Sequence, residues 1–342
     1  MAEIITFGEI LLRLASPGYT KLFQKDTLET SFCGGEANVA VSLAKFGLEV
    51  SFLTKLPNND IADAAVNTLK YFGVDTSKIV YGSGRMGLYY LEKGASQRPS
   101  KVIYDREYSA IAMAKSAEFD WENIFKGVKW FHWTGINPAL SDELAEICKE
   151  ACVEAKKRGI VISCDLNYRS SLWNQEKAFT TMSKLMNYVD VCIGNEEDAE
   201  KVLGIKSENT DVESGKLNRE GYIDVARQIC KMYGCKKVAI TLRESISASY
   251  NRWSGMLYSD LEDEAFFSRV YDIQIVDRVG GGDSFTAAII YGLFLNKNSQ
   301  YVVDFAAAAS CLKHTMEGDF NRVSVNDVES LLSNGGNGRV KR

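Results

Sequence analysis

The residues best placed to do chemistry lie in the run Asp277-Arg278-Val279-Gly280-Gly281-Gly282-Asp283-Ser284-Phe285. Behind it, Phe285, Ala288, Ile289, Gly292 and Leu293 share one helical face, so three glycines lead into a helix N-terminus. Residues without a Cβ let backbone N–H groups converge on a ligand. The unpaired N–H groups and the dipole of a first helical turn favour an anion. Asp283 stands at that end, and two roles fit it. It can cap the helix, the commonest use of Asp there. It can also act as a general base, taking a proton from a hydroxyl while the anion hole holds a transferred phosphoryl group. Capping needs one glycine rather than three, which keeps the second role open.

Other candidates follow strand ends. Asn167 and Arg169 come after the apolar run Ile160–Cys164, and in open parallel sheets ligands bind beyond the carboxyl ends of strands. Gly34-Gly35 precedes a helix carrying Asn38. That pair fits a plain turn and helix start, or a close approach of substrate to backbone with Asn38 bonding a substrate hydroxyl.

The elements that must carry these residues alternate. Apolar runs at Ile4–Phe7, Val50–Leu53, Ile160–Cys164, Val189–Ile193 and Val238–Thr241 read as strands. Between them, Asn38–Phe46, the face Ile61, Ala64, Ala65, Thr68, Leu69, Phe72, and the face Leu144, Ile147, Cys148, Ala151, Ala155 read as helices stopped by glycine. Near-continuous apolar strands alternating with helices predict a parallel sheet covered on both faces. Residues 11–32 and 84–112 break the rhythm and predict strands added outside that sheet as a small lid. Residues 206–221 read as a surface loop, and 334–342 as a disordered tail.

Composition excludes much. The chain has 342 residues, 46% hydrophobic and 25% charged, which is ordinary for a globular protein. Lys plus Arg total 40 and Asp plus Glu 45, a net charge of −5, against the basic excess of a nucleic-acid binder. No 18-residue apolar run predicts a membrane span, and no basic-then-apolar start predicts a signal peptide. Eight cysteines with no Cys-x-x-Cys read as free buried thiols of a reducing, cytoplasmic protein, and two histidines do not make a multi-His metal site. Length alone gives a prior of about two domains. No linker separates the two glycine motifs, and one large domain spanning 1–333 and carrying the lid is expected.

Asp277–Asp283 resembles the C-terminal signature of the ribokinase-like (PfkB) sugar kinases, Asp-Thr-x-Gly-Ala-Gly-Asp, with Arg278 for Thr and Gly281 for Ala. Gly34-Gly35-Glu36-Ala37-Asn38 resembles the family's N-terminal motif, and Asn195-Glu196-Glu197-Asp198 its Asn-x-x-Glu motif with Asp198 for the last Glu. The order and spacing hold over nearly the whole chain. The resemblance implies a three-layer α/β/α sandwich with a mostly parallel central sheet and a small β-sheet lid. It also implies ATP and Mg²⁺ as cofactors and Asp283 as base beside the N–H groups of Gly280, Gly281 and Gly282.

Within the family the likeness is greatest to 2-keto-3-deoxygluconate kinases, on Gly87-Leu88-Tyr89, Tyr104-Asp105-Arg106, Asp165–Arg169 and Gly318-Asp319-Phe320. It implies ATP-dependent phosphorylation of a sugar acid on its terminal hydroxyl. Arg106 lies two residues after Tyr104, so both face one side of a strand. Its planar fork suits a carboxylate, with Tyr89 closing the same pocket. Gly34, Gly35, Asn38, Arg169 and Asp319 complete the substrate set. Asn167, Asn195, Thr241 and Arg243 fall where the nucleotide is expected, although the glycines usual near 243–248 are missing. Glu196 and Asp198 are expected to hold Mg²⁺ through water. Arg169 fits either the substrate carboxylate or the phosphates. The alternatives are a fructokinase or other neutral-sugar or nucleoside kinase, and a non-enzymatic regulator that binds sugar or nucleotide. Exposed lid edges predict a homodimer through the lid. In a chain of net −5, the positive charge is expected at Arg106, Arg169 and the glycine-rich helix start.

Overall fold

The computed structural model describes residues 2–195, 197–206 and 219–335. A nine-stranded sheet runs Glu264–Phe267, Tyr250–Ser259, Lys237–Ser245, Val191–Asn195, Val161–Asp165, Trp130–Thr134, Ile4–Phe7, Val50–Leu53, with Tyr271–Gln274 also on Tyr250–Ser259. From Val50–Leu53 to Lys237–Ser245 all neighbours are parallel, and the strands beyond are antiparallel. Ile4 pairs with both Val50 and Trp130, and all four residues of Ile4–Phe7 are buried. Burial on both faces is why these strands are apolar throughout instead of alternating.

Two apolar cores lie on opposite faces of the sheet. One packs the helices Asp142–Lys157, Gln175–Leu185 and Arg219–Tyr233 through residues such as Ile147, Met182 and Ile229. The other packs Gly35–Lys45, Gly281–Phe294 and Ser299–Lys313 through Val39, Phe285 and Phe305. The result is the expected α/β/α sandwich.

A separate four-stranded sheet runs Glu29–Cys33, Leu11–Ala15, Gly87–Glu92, Lys101–Asp105. Leu11–Ala15 and Gly87–Glu92 are parallel, and the outer pairs antiparallel. Its inner face buries Leu11, Ala15, Cys33, Tyr89 and Leu91, with Val279 of the glycine loop packed against them. The lid therefore rests on the loop that carries the triple glycine.

Four boundaries move. The helix expected from Asn38 starts at Gly35, so both halves of the Gly34-Gly35 pair belong to its start. The helix after the triple glycine starts at Gly281 with Gly280 as its cap, so Asp283 lies inside the first turn and makes no capping bond. The loop expected over 206–221 lies largely outside the described residues, but 219–221 open the helix Arg219–Tyr233. Of the expected tail, Asn334 ends the helix Val325–Asn334 and Gly335 caps it, and 336–342 lie outside the described residues.

Gly255 shows how tightly the helix Gly281–Phe294 is seated. A Cβ there would come 2.5 Å from Cε2 of Phe285, which is fully buried two residues after Asp283. Gly255→Ala is expected to cost about 1–3 kcal/mol by overpacking. Urea unfolding that shows no loss would mean the helix has slack against the sheet.

Candidate active site

Two cavities open at the carboxyl ends of the parallel strands. The larger, about 720 Å³, is bounded by Asn167, Arg169, Asn195, Asp198, Thr241 and Arg243 on the strand ends and by Arg278–Gly280, Gly282 and Asp283 opposite. The smaller, about 80 Å³, lies under the lid between Gly34, Gly35, Asn38, Tyr89, Tyr104, Arg106 and Asp319. Asn167, Arg169, Val279 and Asp283 line both. Every expected site residue inside the described set borders one of the two cavities, except Gly281. Glu196 lies outside the described residues.

Asp283 is held at the junction by Asn38, whose Nδ2 donates to Oδ2 at 2.6 Å. Burial lifts its carboxyl to about 6, the Asn38 bond pulling the other way and the Asp319 charge adding to the rise. A carboxyl poised there is largely ionised at neutral pH and basic enough to accept a proton. The capping role fails: Gly280 occupies the cap position with φ 81°.

Each glycine has its own reason. A Cβ on Gly280 would meet the Asp319 carbonyl oxygen at 2.2 Å, and one on Gly281 would meet the His314 ring at 2.3 Å. Gly282 has open space around it, turned to the larger cavity. At Gly34 the neighbour that excludes a Cβ is the Glu9 carbonyl, 2.0 Å away, so packing within the protein by itself requires a glycine there. At Gly35 a Cβ would lie 3.7 Å from Asp283 Oδ1, at ordinary contact.

Under the lid the charges are already paired. Arg106 is buried, and its Nε and Nη2 both donate to Glu9 Oε2, the former at 2.8 Å, with the guanidinium over the Tyr104 ring. Tyr89 pairs with Tyr104 across the lid strands, and its hydroxyl donates to both oxygens of Asp319 at 2.9 and 2.8 Å. Asp319 also accepts from Arg13 Nη1, and Arg13 Nη2 donates to Asp277 Oδ2 at 2.7 Å. Lys313 Nζ is buried beside this cluster without a hydrogen bond; burial lowers its pKa while Asp277 and Asp319 oppose the shift. The expectation of free positive charge at Arg106 is thus corrected, because Glu9 neutralises it. Arg13 and Glu9 escaped the sequence reading as site residues. The available signal was an arginine at the centre of the apolar run Leu11–Ala15.

The acids of the larger cavity are also partly engaged. Asp198 accepts from the backbone N–H of Tyr168 and of Asn195, both at 3.0 Å, and Asn195 Oδ1 accepts from the N–H of Glu197 and Asp198. These two therefore brace the strand-to-helix turn as well as lining the cavity. Asp165, which the sequence marked only as part of the Asp165–Arg169 run, is pushed well above the usual carboxylate range by burial and then by the Asp198 and Asp283 charges. Asn167 takes a left-handed φ of 41°, its N–H bonded to Asp165 Oδ1. Among the described residues no group of three or more His, Cys, Asp or Glu side chains is arranged to hold a metal ion by itself.

The larger cavity and the smaller one, joined at a basic carboxylate beside an anion-binding helix start, form a site for moving an anionic group between two bound molecules. The comparisons agree. The crystal structure of the 2-dehydro-3-deoxygluconokinase of Thermotoga maritima superposes with a TM-score of 0.93 at 51% identity, over 97% of this chain and 98% of that one. The 2-dehydro-3-deoxygalactonokinase of Haloferax volcanii is 30% identical over 98% of each chain. The 2-dehydro-3-deoxygluconokinase of Bacillus subtilis is 26% identical over 97% of this chain and 95% of its own. The profile of the pfkB family carbohydrate kinases matches from residue 1 to residue 323, through both glycine motifs, and the chain belongs to that family.

Proposed function

We propose that this carbohydrate kinase transfers the γ-phosphoryl group of ATP to the terminal hydroxyl of 2-keto-3-deoxygluconate, giving 2-keto-3-deoxy-6-phosphogluconate. The observation that carries the reading is Asp283 as the shared wall of the two cavities. The acceptor fits the smaller cavity and the donor the larger. Asp283 takes the proton of the acceptor hydroxyl as its oxygen bonds to the γ-phosphorus. The bond from that phosphorus to the β–γ bridging oxygen breaks, and ADP leaves with the electron pair. The N–H groups of Gly280–Gly282 stabilise the charge spread over the transferring group. The lid keeps water from the reaction.

The keto-deoxy acid is supported by relatives named for two epimers of it, so the acid class stands on firmer ground than the epimer. The carboxylate is assigned to Arg106 Nη1 and to Arg169, whose guanidinium borders both cavities. Mg²⁺ supplies charge neutralisation of the donor phosphates. Asp165, Glu197 and Asp198 fit a largely hydrated ion, since they line the same cavity and Asp165 and Asp198 repel one another. A neutral sugar is the second reading, favoured by one fact: Glu9 already balances Arg106.

The edge strand Lys101–Asp105 carries Val102, Ile103 and Tyr104, all partly open to solvent. Our reading adds a homodimer that pairs through this edge. It also adds a cytoplasmic location, in keeping with eight free cysteines.

Asp283→Asn should lower kcat by roughly 10²–10⁴-fold with ADP binding retained. In the unaltered enzyme, activity should fall as pH drops through about 6, because protonation removes the base. The fold should not fail there on this account, since a raised native pKa means that protonation of Asp283 favours the folded state. Near-normal kcat in the variant, or a flat profile to pH 5, would refute the assignment.

The double variant Glu9→Gln, Arg106→Ala removes the pair without stranding a charge. Its kcat/KM for the keto acid should drop roughly 10–100-fold while fructose turnover does not decline. Equal losses on both acceptors would favour the neutral-sugar reading. For the dimer, sedimentation at micromolar concentration should give twice the 38.0 kDa chain mass. A strictly monomeric mass would rule it out.

A further inference from the structure

The larger cavity holds two arginines that no carboxylate answers. Arg278 sits in the loop between Asp277 and Gly280, and Arg243 near the end of the strand Lys237–Ser245. Neither guanidinium makes a hydrogen bond or an ion pair among the described residues. The lid arginines differ: Arg13, Arg85, Arg98 and Arg106 are all matched to acids. Arg243 and Arg278 also act on each other. Burial and then the Arg243 charge hold the Arg278 guanidinium below its usual range. Their combined field, added to burial, helps keep the adjoining His314 at about 4. Two like charges facing one cavity repel in the empty fold and attract any anion placed between them.

We infer that Arg278, backed by Arg243, grips the phosphate chain of the donor and stabilises charge on the departing diphosphate. This rests on the donor being a nucleoside triphosphate, as proposed above. Three observations carry it. Arg278 is two residues before Gly280, so it adjoins the anion-binding helix start. Both arginines line only the larger cavity and not the one under the lid, so their anion is not the sugar acid. A guanidinium fork matches a phosphate with two parallel hydrogen bonds. The family pattern places Thr at position 278, which could offer a hydroxyl but no charge. The same pair answers the missing glycines near 243–248, with cationic side chains doing there what backbone N–H groups of a glycine turn would do.

The test is calorimetric titration with ADP, without acceptor, and steady-state kinetics on Arg278→Ala and Arg278→Lys. Arg278→Ala should weaken ADP binding at least tenfold and lower kcat/KM for ATP by about 100-fold, a charge-assisted contact of the upper usual size. The KM for the acceptor should stay within threefold. Arg278→Lys should recover only part, because Lys keeps the charge and loses the fork. The ligand-free Arg278→Ala protein should melt at the same temperature or higher, since it loses repulsion and no bond. ADP affinity and kcat/KM for ATP within threefold of the unaltered enzyme would overturn the inference. So would a lower melting temperature accompanied by equal losses for donor and acceptor, which marks a structural residue. If the unaltered enzyme binds ADP yet phosphorylates no keto acid, the substrate reading fails while the binding arm still decides the role of Arg278. If it binds no ADP, both fail.

Discussion

The arrangement of the site depends on one buried ion cluster. Arg13 comes from the lid and Asp277 from the loop before the triple glycine. Asp319 comes from the loop behind that triplet, whose backbone carbonyl touches Gly280. Arg13 joins all three, and Tyr89 fixes the second oxygen of Asp319. Arg13 and Tyr89 are directly paired neighbours in the parallel lid strands, so both reach inward from one register. A slip of one residue in either strand would turn its member outward and break the pair. Removing one partner of a buried pair typically costs about 3–5 kcal/mol, because the other charge is left stranded. The lid is therefore no loose flap. Its inner edge holds the loop that carries the triple glycine, so the helix start between the two cavities is fixed from the lid side.

That coupling explains how a chain of net charge −5 can bind an anionic donor. Under the lid, both buried arginines are matched by acids: Arg13 by Asp277 and Asp319, Arg106 by Glu9. In the larger cavity the match is spatial instead. Burial and the charges of Asp198 and Asp283 raise the proton affinity of Asp165, while Arg243 and Arg278 make no ion pair among the described residues. Such a cavity is polarised along its length. One end would be relieved by a cation, and the other by phosphate.

Much of this was legible in the sequence, for identifiable reasons. The parallel strands announced themselves as unbroken aliphatic runs, because burial on both faces forbids alternation. The triple glycine was legible because three adjacent residues without Cβ atoms have few structural explanations. Trp130–Thr134, the strand at the middle of the sheet, was not marked. It reads Trp-Phe-His-Trp-Thr, with no aliphatic signature, although all five residues are buried. Pairing of charges was equally hidden. Arg106 was correctly placed at the lid pocket, but Glu9 lies 97 positions away and nothing local links them. Sequence spacing tells which residues share a face. It does not tell which charges the fold has already spent on each other.

The three glycines show where local and tertiary demands part. Gly280 is required by its own backbone, with φ 81°, and again by the Asp319 carbonyl against it. Gly281 has an ordinary helical conformation, and only the His314 ring beneath it forbids a side chain. His314 is in turn fixed by its Nδ1 contact to the Ser310 carbonyl, which leaves Nε2 without the proton at neutral pH. Gly282 has neither reason, since its φ is not left-handed and a Cβ would meet nothing within 4 Å. What remains for Gly282 is the cavity itself. In the folded protein alone an alanine would fit there without strain and would favour the helix by roughly 1 kcal/mol. A glycine there leaves the first turn of the helix open to the larger cavity, where a ligand can come closer to the backbone than a methyl group would allow, as the donor site we propose requires.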